Sequence, residues 1–300
     1  FNSSMNWYIG PNDYDILKDY ENNISDSIYF GWGLFGWINK FLYFPLFGFL
    51  SKYFSAGLAV ILMTVITRLV MSPVTYKTYV SQARMKVIKP EITELNEKYK
   101  NDAVKKQQET MKLYSKAGAN PLLGCIPALL QLPVFYALFC FFPIAFQLRG
   151  KPFLWADDLS SYDVIAELPF SIPFYGDHVS LLPILASIAI FFYTMMSSGA
   201  QMQQSQPGMP NMKFIMYLMP VMMLFFFNNY ASAFSLYYFI SNVLTILIML
   251  SIKYFIIDEK KIHLQIQENK KKPTKQNRFQ RKMQEMMDQA EQQKKLQNKK

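Results

Sequence analysis

Long uncharged apolar runs constrain this chain more than any other feature of its sequence. Only 17% of the residues are charged and 51% are hydrophobic, and almost all of the charged residues lie between these runs. As helices the runs would span about 25 to 38 Å, against a bilayer hydrocarbon core of about 30 Å. We therefore predict an all-α integral membrane protein with five transmembrane helices, at residues 53–74, 122–146, 179–196, 214–230 and 231–252. Asn228 and Asn229 predict a tight turn between the last two spans.

The charges of the connecting segments predict an orientation. Residues 74–121 carry ten basic and five acidic side chains, and residues 253–300 carry fourteen and six. Residues 149–180 carry two basic and five acidic side chains, and residues 1–55 carry three and five. Because basic loops stay in the cytoplasm, we expect the N-terminal part outside and the C-terminal tail inside.

Residues 29–52 form a further apolar segment that has two interpretations. Lys40 and Pro45 weaken it as a sixth span, whereas Trp32 and Trp37 suit a helix that lies in the outer membrane interface. We favour an interfacial amphipathic helix over a spanning one.

The cytoplasmic loop contains two apolar stripes with helical spacing, which predict a helical hairpin over residues 82–118. Pro90 either kinks the first helix or starts a new one. The hairpin is either a simple connector or a docking element. The first stripe consists of Met85, Ile88, Ile92, Leu95 and Tyr99, and the second of Val104, Met111 and Tyr114.

Arg68 is the one ionisable residue well inside a predicted span, and the five spans contain no carboxylate. Placing arginine there costs at least about 2.5–3.5 kcal/mol. Thr64 shares its helix face, while Gln131 and Asn242 supply polar groups from other spans. These residues predict a polar pocket whose positive charge awaits a transient negative group. Alternatively, Arg68 extends to the cytoplasmic headgroups.

Other functional classes find little support in the sequence. With two histidines far apart and two cysteines inside one apolar run, we expect no metal, cofactor or catalytic centre. A secondary transporter would need inverted repeats or intramembrane carboxylates. A transporter and a purely structural membrane subunit stay as alternatives.

The tail over residues 258–300 is basic and rich in Lys, Gln and Asn. It could be a solvated tail, a topology determinant, a contact for anionic lipid or a contact for ribosomal RNA. Composition does not separate these interpretations.

Several stretches resemble the YidC family of membrane protein insertases, within the Oxa/Alb/YidC superfamily. They are NPLLGCIPALLQLPVFYAL (120–138) with Arg68 in the preceding span, MKFIMYLMPVMMLFFF (212–227), FSLYYFISN (234–242) and ARMKVIKPEI (83–92). The resemblance covers about residues 29–260. WYIGP (7–11) is similar to the end of the periplasmic domain of Gram-negative members, so we expect residues 1–28 to be a remnant of that region.

The resemblance implies a five-helix core over residues 53–257 that encloses a hydrophilic groove open to the cytoplasm and to lipid. Arg68, Thr64 and Gln131 match groove positions, and Tyr237 and Tyr238 match an aromatic pair of the last helix. With Asn242, these are the candidate groove residues.

The resemblance also implies a hydrophobic slide for substrate helices on the second and fourth spans. The alternative for these apolar residues is lipid-facing or packing surface. The implied partners are nascent membrane proteins, the ribosome, the Sec translocon and membrane lipids, in the bacterial inner membrane. The slide candidates are Leu132, Phe135, Met216 and Met219.

Overall fold

The computed structural model describes residues 7–20, 24–100, 102–118, 126–197, 212–256 and 259–271. Most of them are helical. Asn39–Tyr43 and Ile252–Ile256 are short π-helical segments. The elements are α1 (Tyr14–Leu17), α2 (Gly33–Ile38), α3 (Phe44–Tyr53), α4 (Ala56–Val87), α5 (Lys89–Lys98), α6 (Ala103–Ala117), α7 (Ile126–Ile144), β1 (Ala166–Ile172), β2 (Gly176–Val179), α8 (Leu181–Ser197), α9 (Met212–Asn228), α10 (Ser232–Ser251) and α11 (Glu259–Lys271).

Each of the five predicted spans contains a helix. By length and hydropathy, α4 and α10 with its extension to Phe255 are long enough to cross a membrane, whereas the apolar parts of α7, α8 and α9 are shorter. Helix α4 continues past the predicted end at residue 74 as far as Val87. Hydropathy marks where a span leaves lipid, but it does not end a helix. The first helix of the predicted hairpin therefore begins as a continuation of α4.

The predicted turn between the last two spans is confirmed, and the structure decides between the two interpretations of Pro90. Asn228 ends α9 and Ser232 starts α10, so a three-residue turn separates them. Pro90 lies in the first turn of α5, where its missing N–H is not needed, and it starts a new helix. Helix α6 is capped by Asp102, whose side chain accepts a bond from the Lys105 N–H at 3.1 Å.

The described chain forms two compact units. The first comprises the described residues within 7–70, 128–192 and 218–245, and the second comprises the described residues within 71–127, 193–217 and 246–271. In the first unit, one stripe of α2–α3 is buried in an aromatic core with residues from α7 and α10. That stripe consists of Asn39, Tyr43, Phe47 and Leu50.

The loop between α7 and α8 departs from the all-α prediction. Strands β1 and β2 pair antiparallel, with Ala166 opposite Val179 and Ile172 opposite Gly176. A bulge interrupts the ladder between these pairs. Because Pro169 has no N–H and the apolar–polar alternation is irregular, the sequence gives only a weak strand signal here.

The second unit has a core of its own. The apolar stripes of the hairpin supply Met85, Ile88, Ile92 and Tyr114, and α11 adds Ile262 and Ile266. The beginning of the tail is thus a packed helix, an arrangement absent from the sequence interpretation. The basic residues from Lys272 onward lie outside the described residues.

Candidate functional site around Arg68

The side chain of Arg68 bridges two other helices of the first unit. Its Nε donates to the hydroxyl of Ser241 on α10. Its Nη2 donates to Oε1 of Gln131 on α7 at 3.2 Å. None of the ion pairs between described residues involves Arg68, which is half-buried. The guanidinium is therefore oriented by neutral acceptors.

Gln131 connects this arginine to the aromatic part of the site. Its amide Nε2 donates to the hydroxyl of Tyr238 at 3.1 Å. Tyr238 in turn packs edge-on against Phe234 and Phe135. A chain of hydrogen bonds thus runs from the arginine through an amide to a buried tyrosine.

Two predicted groove residues turn toward the backbone of their own helices. The hydroxyl of Thr64 donates to the carbonyl of Val60 at 2.7 Å, and the amide of Asn242 donates to the carbonyl of Tyr238 at 2.7 Å. Both side chains are buried. Thr64 lies on the same helix as Arg68, and Asn242 lies on the same helix as Ser241, but neither forms a hydrogen bond with the guanidinium.

Tyr237 is fully buried and faces a residue that the sequence did not suggest. Its hydroxyl lies near Tyr43 of the π-helical segment, and Thr67 and Ser241 are their neighbours. Neither tyrosine hydroxyl forms a hydrogen bond of normal geometry within the described ranges. Tyr43 could have been found from its place in the buried stripe at four-, four- and three-residue spacing.

The slide candidates differ in exposure. Leu132 is 62% exposed and Met219 is 52% exposed. Phe135 is partly buried among Phe139, Phe226 and Tyr238, and Met216 is partly exposed. Leu132 and Met219 are therefore exposed, Met216 is partly exposed, and Phe135 packs against the aromatic core.

The hydrogen bonds by which Asp163 and Asn228 tie the loop of residues 149–180 to the helices were not predicted from the sequence. Oδ2 of Asp163 accepts the N–H groups of Leu181 and Leu182, at 2.9 and 3.0 Å, and so caps α8. The amide of Asn228 donates to the carbonyls of Tyr175 and His178 at 2.8 and 2.9 Å. The loop of residues 149–180 is thus tied to the ends of α8 and α9.

Helix α10 starts against the same loop. The N–H of Ser232 donates to the carbonyl of Ser161 at 2.7 Å, and that of Ala233 to the carbonyl of Leu159 at 3.0 Å. These bonds satisfy two of the N–H groups that any helix leaves free at its first turn. The loop therefore fixes the end of α10 that precedes Tyr237 and Ser241.

Comparisons with known proteins agree on one family. A family profile described as "60Kd inner membrane protein" matches residues 48–261. The protein named membrane protein insertase YidC from Parabacteroides distasonis is 41% identical over 298 residues, covering 94% of this chain and 47% of that protein. Its namesake from Phocaeicola vulgatus is 45% identical over 264 residues, covering 84% and 42%.

The chain spans about half the length of the curated relatives that it matches. A crystal structure described as an active YidC insertase with the first transmembrane domain resolved is 28% identical, with a TM-score of 0.49. The match covers 74% of this chain and 47% of that one.

Proposed function

Because the chain belongs to the YidC family of membrane protein insertases, we propose that it inserts nascent proteins into the bacterial inner membrane and helps them fold. In this proposal five helices, α4 and α7 to α10, span the membrane. The N-terminal part and the loop of residues 149–180 lie outside, and the hairpin and tail lie in the cytoplasm. No covalent chemistry is required.

The observation that carries the proposal is the neutral set of partners around Arg68. Gln131 and Ser241 orient the guanidinium but leave its charge uncancelled. An acidic segment of a nascent chain is the natural counterpart of such a charge. A permanent carboxylate partner would remove that attraction.

The depth of Arg68 supports a role inside the bilayer. It lies twelve residues after Ala56, so about 18 Å of helix separates it from the start of α4. If α4 enters the hydrocarbon core near Ala56, this distance would put Arg68 beyond the middle of a core of about 30 Å. A polar groove at this depth would shorten the apolar path that a hydrophilic segment must cross, and so lower its desolvation cost.

Polar groups around Arg68 support hydration of the groove. Tyr43 and Tyr237 have buried hydroxyls without a normal hydrogen bond in the described chain. Buried hydroxyls of this kind commonly bind water. Water and the guanidinium together would stabilise a polar segment before it is released outward.

The membrane potential would drive the release of an acidic segment. Moving one negative charge outward gains about 2.3 kcal/mol per 100 mV. The apolar helix that follows the segment would leave along Leu132 and Met219, whose exposed side chains offer a pliable apolar surface. The ribosome, the Sec translocon and lipids are the partners that we propose for delivery and release.

Substitution of Arg68 tests the electrostatic step. In proteoliposomes with a membrane potential, Arg68→Ala should impair insertion of substrates whose translocated segments are acidic, and Arg68→Lys should impair it less. Substrates with neutral translocated segments serve as the control. Equal insertion by wild type and Arg68→Ala across the acidic substrates would refute this step.

Photo-crosslinking tests the slide separately. A photoreactive amino acid at Leu132 or Met216 should crosslink to a stalled nascent chain. The same probe at Leu138, which is fully buried on the same helix as Leu132, should not. Absence of crosslinks from both positions would contradict the substrate path, and it would favour a structural role for the chain.

A further inference from the structure

Two loop tips between α7 and α8 expose large apolar side chains in a backbone conformation that such residues rarely adopt. Leu154 has φ +54° and is 71% exposed, and Phe174 has φ +67° and is 93% exposed. They are the non-glycine residues with positive φ in the described chain. Glycine or asparagine is usual at such positions because a bulky side chain is sterically disfavoured. An apolar side chain kept there without packing points to a contact outside the chain.

The Leu154 tip lies at the start of α4. Leu154 and Trp155 form a tight turn closed by two bonds, from the Phe153 N–H to the Ala156 carbonyl at 2.9 Å and back at 3.0 Å. The Phe153 ring lies directly over Gly57 and leaves no room for a side chain there. Gly57 is the second residue of α4, so the tip is held beside the first turn of that helix.

The Phe174 tip lies at the turn between α9 and α10. The side-chain amide of Asn229 donates to the carbonyl of Tyr175 at 2.8 Å. The Tyr175 ring packs edge-on against Phe225 of α9, with centroids 5.4 Å apart. The tip of the β-hairpin is thus fixed at the end of α9.

Both tips lie on one side of the membrane if the helices span it as proposed. Consecutive spans alternate in direction, so the start of α4, the end of α7, the start of α8 and the end of α9 share a side. Each tip is attached where a helix leaves the bilayer. Apolar and aromatic side chains at that height partition into the membrane interface.

We propose that Leu154 and Phe174 insert into the interfacial layer of this leaflet and anchor the loop of residues 149–180 to lipid. The inference rests on the proposed function only for the spanning helices. The loop carries five acidic and two basic residues, so apolar burial rather than attraction to anionic lipid provides the contact. Helix α9 also exposes apolar side chains in its second half, where Met222 is 61% and Phe226 is 42% exposed.

Spin-label accessibility tests the anchor in the full chain. Phe174→Cys, Leu154→Cys and, as a matched control, Asp177→Cys are made in a Cys125→Ser, Cys140→Ser background. Asp177 lies on β2 close to the tip and its side chain is 76% exposed. The labelled proteins are reconstituted into vesicles of phosphatidylcholine and phosphatidylglycerol. Oxygen should relax the labels at 154 and 174 more than a water-soluble nickel chelate does, and this order should reverse at 177.

Two outcomes would overturn the anchor. If the nickel chelate reaches positions 174 and 177 equally, the tip lies in water. Exclusion of both reagents from 174 would mean that protein covers it. Insertion of an acidic substrate is measured in the same vesicles. Absence of insertion by the wild-type chain, together with lipid-exposed labels at the tips, would count against the proposed function alone. Normal insertion with a solvated tip would count against the anchor alone.

Discussion

The guanidinium Nη2 of Arg68 lies 3.2 Å from Oε1 of Gln131, and the same glutamine amide donates to the hydroxyl of Tyr238. Oε1 of Gln131 therefore accepts from the charged guanidinium, and its Nε2 donates to a tyrosine of the aromatic core. A neutral amide fixes the direction of the guanidinium without neutralising it. Substitutions of Gln131 can therefore change the orientation of the guanidinium and the local charge separately.

Gln131→Glu should weaken insertion of substrates with acidic translocated segments. The new carboxylate has nearly the shape of the amide and would pair with Arg68, so the arginine would attract an incoming acidic segment less strongly. We expect a loss of roughly three- to tenfold, which corresponds to about 0.7–1.4 kcal/mol. The ratio of the insertion rates of wild type and variant in proteoliposomes measures this loss.

Gln131→Leu is the matched control for this change. It removes the hydrogen bond to Arg68 but adds no charge, so it should reduce insertion less than Gln131→Glu does. Wild-type insertion by Gln131→Glu would contradict the need for an uncancelled charge. An equal loss in both variants would mean that orientation, and not charge, is what the glutamine provides.

Asn228→Ala should destabilise the first unit much more than Asn229→Ala. The buried amide of Asn228 satisfies two carbonyls and accepts the N–H of Ser180 at 3.1 Å. Its removal leaves buried polar groups unpaired, at about 2–4 kcal/mol. Asn229 is exposed, so water can replace its bonds. Thermal unfolding in detergent, followed by tryptophan fluorescence, should rank the two variants, and equal melting temperatures would contradict the role of the buried network.

Much of the fold was predictable because hydropathy and turn residues act locally. The five apolar runs gave helices, Asn228 and Asn229 marked the turn between α9 and α10, and Pro90 indicated either a kink or a new helix near the start of α5. The clustering of Arg68 with Gln131 was expected from the polar residues inside separate spans and from the family resemblance, but not from spacing along the sequence. Residues from separate helices can be brought together by many arrangements that one sequence does not distinguish.

The features that escaped prediction depend on contacts distant in sequence. Asp163 caps a helix that starts eighteen residues later, and no local pattern indicates such a cap. Helix α11 was read as part of a basic tail because Ile262 and Ile266 are few among many polar residues. Their four-residue spacing becomes informative only once the hairpin supplies a surface to cover them.

Asp163→Ala should shorten or loosen α8 from its first turn. The substitution removes an acceptor for two helix N–H groups and for the indole of Trp155, which donates at 3.0 Å. Loss of an N-cap costs about 1 kcal/mol, and more when the N–H groups are buried. Asp157→Ala, at an exposed position in the same loop, is the control. Hydrogen exchange of residues 181–186 should accelerate in the first variant only, and unchanged protection would contradict the cap.

Ile266→Glu should release α11 from the hairpin in the second unit. Ile266 is 3% exposed in a cluster with Ile88 and Tyr114, and burying an unpaired carboxylate there would cost more than detaching the helix. Detached, a helix of 13 residues is only marginally stable in water. Hydrogen exchange over residues 259–271 should therefore increase sharply, and more of the Arg84 side chain should become exposed because its bond to Gln265 is lost.

Leu264→Glu places the same charge on the same helix at a position that is 64% exposed, so α11 should stay protected. If both variants exchange alike, the packing of α11 on the hairpin is not what orders it. If exchange increases only in Ile266→Glu, two isoleucines of α11 connect the start of the tail to the hairpin. A ribosome or lipid contact made by the tail would then bear directly on the hairpin.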